Sequence, residues 1–262
     1  FLCHETRKTA EARRIFERLR NSPDAAIRAK AAAAFENIDR PLAEGIQRWS
    51  EVVAVEPGNF SARLELARLA EQRGLLELAE ENYLNAWRLR PDERSLLVDL
   101  GRVLQLDGKG EKAFAPLLAA SRGSRPRAAE EARDMLPLRY PYVSEFRQAL
   151  EFDPRNIELR RELGYLLLEM GRREEAEAEF KIITAQAPKD YLAAAQLGLL
   201  LLDRGDRDAA VPLLQRALET TDEKLLKTVR TALGLPPEPP APRREVQPGP
   251  KEMGERSLRA GY

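Results

Sequence analysis

The sequence predicts an all-α fold, an α-solenoid built of stacked antiparallel helix pairs. Apolar residues recur at helical spacing along almost the whole chain, and no long stretch alternates with the period of two that a strand needs. Ala, Leu, Arg and Glu dominate the composition, and all four favour helices. The same residues also return after 34 positions, as when Leu66-Ala67 becomes Leu100-Gly101 and Leu163-Gly164 becomes Leu197-Gly198. A fixed period of this length is typical of a repeat array.

Each repeat is predicted to hold two helices separated by a glycine turn. Glycine enters the left-handed backbone conformation without steric cost, so it ends the first helix of each unit. The turn glycines are Gly74, Gly108, Gly171 and Gly205. The second helix then places apolar or small residues on one face at spacings of four and three, as in Ala176, Phe180 and Ile183. A proline follows the last helix of several units, at Pro57, Pro91, Pro154 and Pro188.

A second kind of glycine lies inside the first helices, at Gly164 and Gly198. Glycine costs a helix interior about 1 kcal/mol relative to alanine, so its recurrence there needs a compensating reason. We expect these positions to lie where neighbouring helices approach most closely. Ala67 holds the same place in its own unit.

The stretch 157–188 resembles the tetratricopeptide repeat family, whose 34-residue signature includes Leu-Gly, a later alanine and phenylalanine, and a closing proline. The matching residues are Leu163, Gly164, Leu167, Ala176, Phe180 and Pro188, while Arg160, Ala194 and Arg63 stand where the family has a tryptophan. The resemblance implies a right-handed superhelix of bacterial type. It also implies that the first helices line a concave groove in which peptide or protein ligands bind.

The predicted elements run in order along residues 1–234. They are a lone second helix at 9–20, a degenerate two-helix unit at 26–57 with Trp49 in the phenylalanine place, units at 60–91 and 94–125, a unit shortened by five residues that ends at Pro154, units at 157–188 and 191–222, and a capping helix up to 234. This makes about five to six full units plus a partial N-terminal helix. Seven prolines between 236 and 250 predict an extended linker at 235–250. Residues 251–262 are predicted to begin a further helix.

The composition argues against catalysis and metal binding. Lys+Arg and Asp+Glu are both 43, and there is one cysteine and one histidine. A disulfide framework within the chain is therefore excluded, and a Cys/His zinc site nearly so. The stretch DGKGEKAF lacks the spacing of a phosphate-binding loop, and DRGDRD lacks the acidic ligands of a calcium loop. We predict no catalytic residue, no cofactor, no metal and no enzymatic activity.

The candidate binding residues lie on the outward faces of the first helices. They are Arg68, Gln72, Arg102, Gln105, Arg161, Tyr165 and Glu169. Arg68 and Arg102 stand one repeat apart and could grip a carboxylate through bidentate hydrogen bonds. The competing interpretation is that both pair with Glu71 and similar neighbours. In the last unit an apolar face, comprising Leu192, Ala195, Leu199 and Leu202, is either a binding strip or a surface covered by the next segment.

The leading functional hypothesis is a non-catalytic interaction scaffold that binds a peptide or protein in the groove. One alternative is a periplasmic structural region of a larger bacterial envelope or polysaccharide-secretion protein, favoured by the proline-rich stretch. RNA binding is a third possibility, but the zero net charge counts against it. We expect neither nucleic-acid binding nor membrane insertion, because the longest apolar run is too short to span a bilayer. We expect the chain, which begins with Phe1, to be an excerpt of a soluble protein; cytoplasm and bacterial cell envelope both stay open, as does the oligomeric state.

Overall fold

The computed structural model describes residues 9–236, which contain thirteen helices and no strand. The helices are α1 (Thr9–Leu19), α2 (Ala25–Val55), α3 (Phe60–Arg73), α4 (Leu76–Leu89), α5 (Ser95–Leu106), α6 (Gly110–Ser121), α7 (Pro126–Met135), α8 (Val143–Phe152), α9 (Ile157–Glu169), α10 (Arg173–Gln186), α11 (Tyr191–Asp203), α12 (Arg207–Ala217) and α13 (Glu223–Leu233). Most of the predicted linker and all of the predicted helix at 251–262 lie outside the described residues.

Four helix pairs form regular hairpins: α3 with α4, α5 with α6, α9 with α10, and α11 with α12. Neighbouring hairpins also touch, since α4 packs on α5 and α10 on α11. A single hydrophobic core therefore runs from Ala67 in α3 to Ala210 in α12, and no pair has to bury its apolar face alone. The prediction of an all-α repeat solenoid is confirmed.

The turn glycines have the backbone conformation that the sequence predicts. Gly74, Gly108, Gly171 and Gly205 have φ values of 85°, 73°, 72° and 90°. In each case the amide of the next residue donates to the carbonyl oxygen five residues back, at 2.8 Å, as Leu75 does to Ala70. This bond belongs to the Schellman motif, which satisfies a carbonyl left open at the helix end. The motif fixes the reversal of direction in all four hairpins.

Glycines inside the first helices mark the close contact within each hairpin. A Cβ atom at Gly101 would lie 2.5 Å from the Leu117 side chain, and one at Gly198 would lie 2.7 Å from Leu214. At Gly164 the same atom would lie 2.9 Å from the Phe180 ring. The partner is always the residue sixteen positions on, in the second helix of the pair. The second helix can therefore carry a large side chain because the first helix carries none.

One predicted turn is absent, and the expectation of two helices in residues 26–57 is wrong. The structure has the single helix α2 over Ala25–Val55. The position one repeat before Gly74 is Arg40, followed by Pro41 inside the helix. A residue with a Cβ enters the left-handed conformation only at a cost of roughly 1–2 kcal/mol, so the helix continues instead of turning. α2 packs against both α1 and α3.

The shortened unit departs from the hairpin pattern. α7 packs on α5 and α6, whereas α8 packs mainly on α6 and also on α9. Three contacts around α8 join distant parts of the chain: Trp87 Nε1 donates to the Phe152 carbonyl at 3.2 Å, Arg94 pairs with Asp153, and the buried Asn156 amide donates to the Ala119 carbonyl at 3.3 Å. The loss of five residues is thus accommodated by seating α8 against the preceding pair.

The apolar face of α11 is largely covered by α13. Buried Val229 of α13 shares a hydrophobic cluster with Ala195 and Leu214, and Leu199 and Leu202 pack against that cluster. Leu192 stays 37% exposed. Of the two interpretations of this face, the structure favours coverage by the next segment.

We predict that Gly101→Ala destabilises the array by about 1–3 kcal/mol, because the new methyl group would overlap Leu117 in a packed core. This loss would occur although alanine improves helix propensity by about 1 kcal/mol. Gly110→Ala is the matched control, since a Cβ at Gly110 meets nothing within 4 Å. Urea denaturation of the two variants measures the difference, and equal stabilities would contradict the packing account.

Candidate functional site

The seven predicted binding residues lie on three first helices and fall into two groups. Arg68 and Gln72 are exposed on α3, and Arg102 is half-buried on α5 beside exposed Gln105. On α9, Arg161 and Tyr165 are half-buried and Glu169 is exposed.

Arg102 is the best-connected member of the first group. Its Nε and Nη2 donate to the two carboxylate oxygens of Glu71 at 2.8 and 3.2 Å, and Nη2 also donates to Asp99 at 2.6 Å. The Tyr83 hydroxyl donates to Glu71 at 2.8 Å and holds that carboxylate in place. Arg102 therefore ties α5 to α3, as the competing interpretation proposed for it.

Arg68 is held far more loosely. Its side chain is 52% exposed, and its guanidinium contacts Glu65 of the same helix at 3.2 Å. Such an exposed pair contributes little to stability, at most about 1 kcal/mol. The Arg68 guanidinium is thus available to a partner at small cost, whereas that of Arg102 is not.

Negative charge exceeds positive charge around these two arginines. Their ion-pair partners are the carboxylates of Glu65, Glu71, Asp99 and Glu131, the last at 3.8 Å from Arg102. Burial raises the pKa of Asp99 above its ordinary value, and the opposing effect of Arg102 does not cancel it, in part because Glu71 lies nearby. Burial, followed by Glu71, likewise raises the pKa of Tyr83 well above its ordinary value. We name this set, with Arg68 and Arg102, the α3–α5 acidic cluster.

The second group is engaged in packing. Arg161 pairs with Glu158 at 2.5 Å and with Asp190 at 2.6 Å, and Asp190 also caps α11 by accepting the Ala193 amide at 2.9 Å. The Tyr165 ring meets Phe180 edge-on, with centroids 5.6 Å apart. Arg161 and Tyr165 therefore connect α9 to its neighbours, and Glu169 is left as the exposed member.

Gln105 has a structural contact as well. Its side-chain amide donates to the Met135 carbonyl at 3.0 Å, at the end of α7. The proposed groove face is thus continuous from α3 to α7 through α5.

The sequence reasoning missed the carboxylates that dominate the site. It also missed a second charged group, in which Asp39 of α2 accepts from Arg13 of α1 at 2.6 Å and from Arg73 of α3 at 3.2 Å through each oxygen. Burial opposes ionisation of Asp39, but the hydrogen bonds from Arg73 and Arg13 outweigh it and lower its pKa. A usable signal existed, because Asp39 and Arg73 are 34 positions apart, one full repeat.

Residues 9–236 offer neither a metal-binding cluster nor a membrane-spanning helix. No group of three or more His, Cys, Asp or Glu side chains is arranged to hold a metal ion in this part of the chain. Within the same residues, no helix combines the length and apolar character that crossing a membrane requires.

Comparison with known families decides the kind of repeat. Models of the tetratricopeptide repeat match residues 28–94 and 143–200. The chain is a tetratricopeptide repeat protein. The matched segments include the uninterrupted helix α2 and the displaced helix α8, so both departures from the hairpin pattern lie within recognisable repeats.

Several solved tetratricopeptide structures are similar to the chain. TTC0263, a thermophilic protein of Thermus thermophilus, is 21% identical, with 87% of this chain and all of that one covered and a TM-score of 0.32. YrrB, described as having an unusual peptide-binding site, is 17% identical over 82% of this chain and 97% of its own, with a TM-score of 0.31. MamA is 18% identical over 76% and 95%, with a TM-score of 0.29. No curated protein sequence matches. At these TM-scores the neighbours say nothing about the site.

We predict opposite pH responses for Asp39→Asn and Asp99→Asn. The folded-state pKa of Asp39 is lowered, so its pairing stabilises the fold above about pH 4 and is lost as the pH falls further. Asp39→Asn should therefore cost about 1–3 kcal/mol near neutral pH, with the difference shrinking in acid. The folded-state pKa of Asp99 is raised, so the wild type should lose stability relative to Asp99→Asn as the pH rises from about 4 through that pKa.

Urea unfolding of both variants and the wild type across the acidic range measures these slopes. Slopes of the same sign for the two variants would contradict the assigned electrostatics.

Proposed function

We propose that the array binds a peptide or protein partner on the exposed face of α3, α5 and α7, with the α3–α5 acidic cluster as the centre of the site. Tetratricopeptide repeats act in general as scaffolds for protein–protein interaction, and this array is such a scaffold. The proposal adds the location of the partner and the chemistry that recognises it.

The excess of carboxylates over guanidiniums is the observation that carries this proposal. Four carboxylates surround two arginines, and burial with the nearby Glu71 already disfavours the charged form of Asp99. A lysine or arginine from a partner would supply the missing positive charge. Glu65 and Glu131 are 44% and 53% exposed, so they can turn toward a ligand without opening the core. Exposed Gln72 offers an amide donor and acceptor for the partner backbone.

This reasoning corrects the sign of the ligand that the two arginines suggest. Arg102 already has two close carboxylate partners and would have to break those bonds to grip another carboxylate. The same charge balance disfavours nucleic acid, because phosphates would meet an acidic surface. The alternative of a structural region in a larger bacterial envelope protein rests on the proline-rich stretch, and no contact within residues 9–236 favours it.

We further propose that the scaffold is non-catalytic. A carboxylate that serves as an acid or base has to be free to exchange its proton with a substrate. Asp99 instead forms an ion pair with Arg102, and Glu71 is bonded to both Arg102 and Tyr83. These groups stabilise the contact between two helix pairs.

Fluorescence anisotropy with two labelled peptides tests the location and the charge. One peptide alternates lysine with leucine, and its twin has glutamate in place of lysine. We expect the lysine peptide to bind, and the double variant Glu65→Gln/Glu131→Gln to weaken it about 5–10-fold, as expected for losing two exposed charge contacts. Glu44→Gln/Glu77→Gln is the control, since both residues are exposed on other helices and keep the net charge change equal.

Equal weakening by the two double variants would show a nonspecific charge effect and would overturn the location. Binding of the glutamate peptide that is lost in Arg68→Ala would overturn the assigned charge and support the carboxylate grip instead.

A further inference from the structure

The segment that joins α7 to α8 presents large side chains to solvent. It comprises residues 136–142, here named the 136–142 loop, and it lies where the repeat is five residues short. Leu138 is fully exposed, and Tyr140 and Tyr142 are 56% and 62% exposed. Exposed clusters of this kind mark interaction surfaces when the backbone beneath them is ordered.

Contacts made by Arg139 hold the loop in one shape. Its guanidinium lies 4.7 Å from the centre of the Phe114 ring and 4.5 Å from that of Tyr142. It also forms two hydrogen bonds with the Glu145 carboxylate, at 2.9 and 2.5 Å, and Glu145 accepts the Tyr142 amide at 2.7 Å. Pro137 and Pro141 further restrict the backbone. Because the loop is ordered before a partner arrives, binding costs less conformational entropy.

A cleft of about 330 Å³ lies beside this loop. Phe114, Leu118, Leu136 and Leu138 give it an apolar lining. The remaining lining residues are two prolines and three arginines, Arg122, Arg133 and Arg139, with no carboxylate among them. The cleft is therefore both apolar and cationic, opposite in charge to the α3–α5 acidic cluster.

The three arginines differ in how well their charge is matched. Arg122 pairs with Glu162 at 2.6 Å and Arg139 with Glu145, and neither carboxylate lines the cleft. Arg133 donates to the Ser121 carbonyl at 3.3 Å and forms no ion pair within residues 9–236. Arg133 is thus a cation at the edge of an apolar cleft whose charge no described carboxylate neutralises.

We infer that this cleft is a second docking site, which takes an extended peptide segment carrying an acidic residue next to a large apolar one. The apolar side chain would enter between Phe114 and Leu138, and the carboxylate would bind Arg133 through charge-assisted hydrogen bonds. The surface goes beyond the proposed site on α3, α5 and α7: it uses other residues, requires the opposite charge on the partner, and arises only because the repeat is short here. One array would in this way hold two segments of different chemistry.

Selection of random dodecapeptides displayed on phage, with the chain immobilised, tests this inference. We expect the enriched peptides to share Asp or Glu beside Leu, Ile, Phe or Trp. Synthetic copies should bind Arg133→Gln and Leu138→Ser about tenfold or more weakly than the wild type, as expected for a lost charged hydrogen bond or a lost apolar contact. Arg127→Gln is the matched control, because Arg127 is exposed on the same helix and does not line the cleft.

Three results would overturn the inference. The first is equal affinity of the enriched peptides for Arg133→Gln and Arg127→Gln. The second is enrichment without any acidic and apolar pair. The third is a dimer in sedimentation equilibrium that Leu138→Ser dissociates, which would make a second copy of the chain the occupant. Thermal unfolding confirms that each variant is folded. Loss of binding in Glu65→Gln/Glu131→Gln alone concerns the other site, so failures of the two proposals are distinguishable.

Discussion

The close approach of two helices at a position without a side chain is the constraint on which the array depends. At Gly101, Gly164 and Gly198 the first helix leaves room for a leucine or phenylalanine sixteen residues on, and that side chain fills the interior of the pair. Filled pairs then stack, so that one core continues from α3 to α12. Dispersion contacts and apolar burial in such a core are lost quickly when a methyl group is forced in, because protein interiors are close-packed. The cost of glycine in a helix is offset by that packing.

Ion pairs between successive helices form a second layer of order outside the core. Asp39 joins α1, α2 and α3, Glu71 and Arg102 join α3 to α5, and Arg161 and Asp190 join α9 to α11. Because these groups bridge neighbouring units, they fix how one pair sits on the next. The functional surfaces are built from the same groups wherever charges fail to balance: the α3–α5 acidic cluster has too many carboxylates, and the cleft at the 136–142 loop has an unmatched arginine.

The sequence predicted what repeats and failed where the repeat is broken. The hairpins with Gly74, Gly108, Gly171 and Gly205 follow directly from glycine's access to positive φ, and all four have it. The missing turn in α2 was visible as Arg40 in the glycine place, yet apolar periodicity alone does not distinguish one long helix from two short ones. The seat of α8 on α6 depends on three-dimensional packing that no local signal reports. Site residues were placed on the correct helices, but their charge partners come from the next repeat, which spacing within one helix does not show.

A double-mutant cycle between Gly164 and Phe180 tests the central claim most directly. If the ring of Phe180 occupies the space that a side chain at position 164 would need, Phe180→Leu should relieve part of the damage done by Gly164→Ala. The account predicts a coupling free energy of about 0.5–3 kcal/mol, with the double variant more stable than the two single losses imply. Additive losses would contradict it and would show that the two positions do not share the space between the helices.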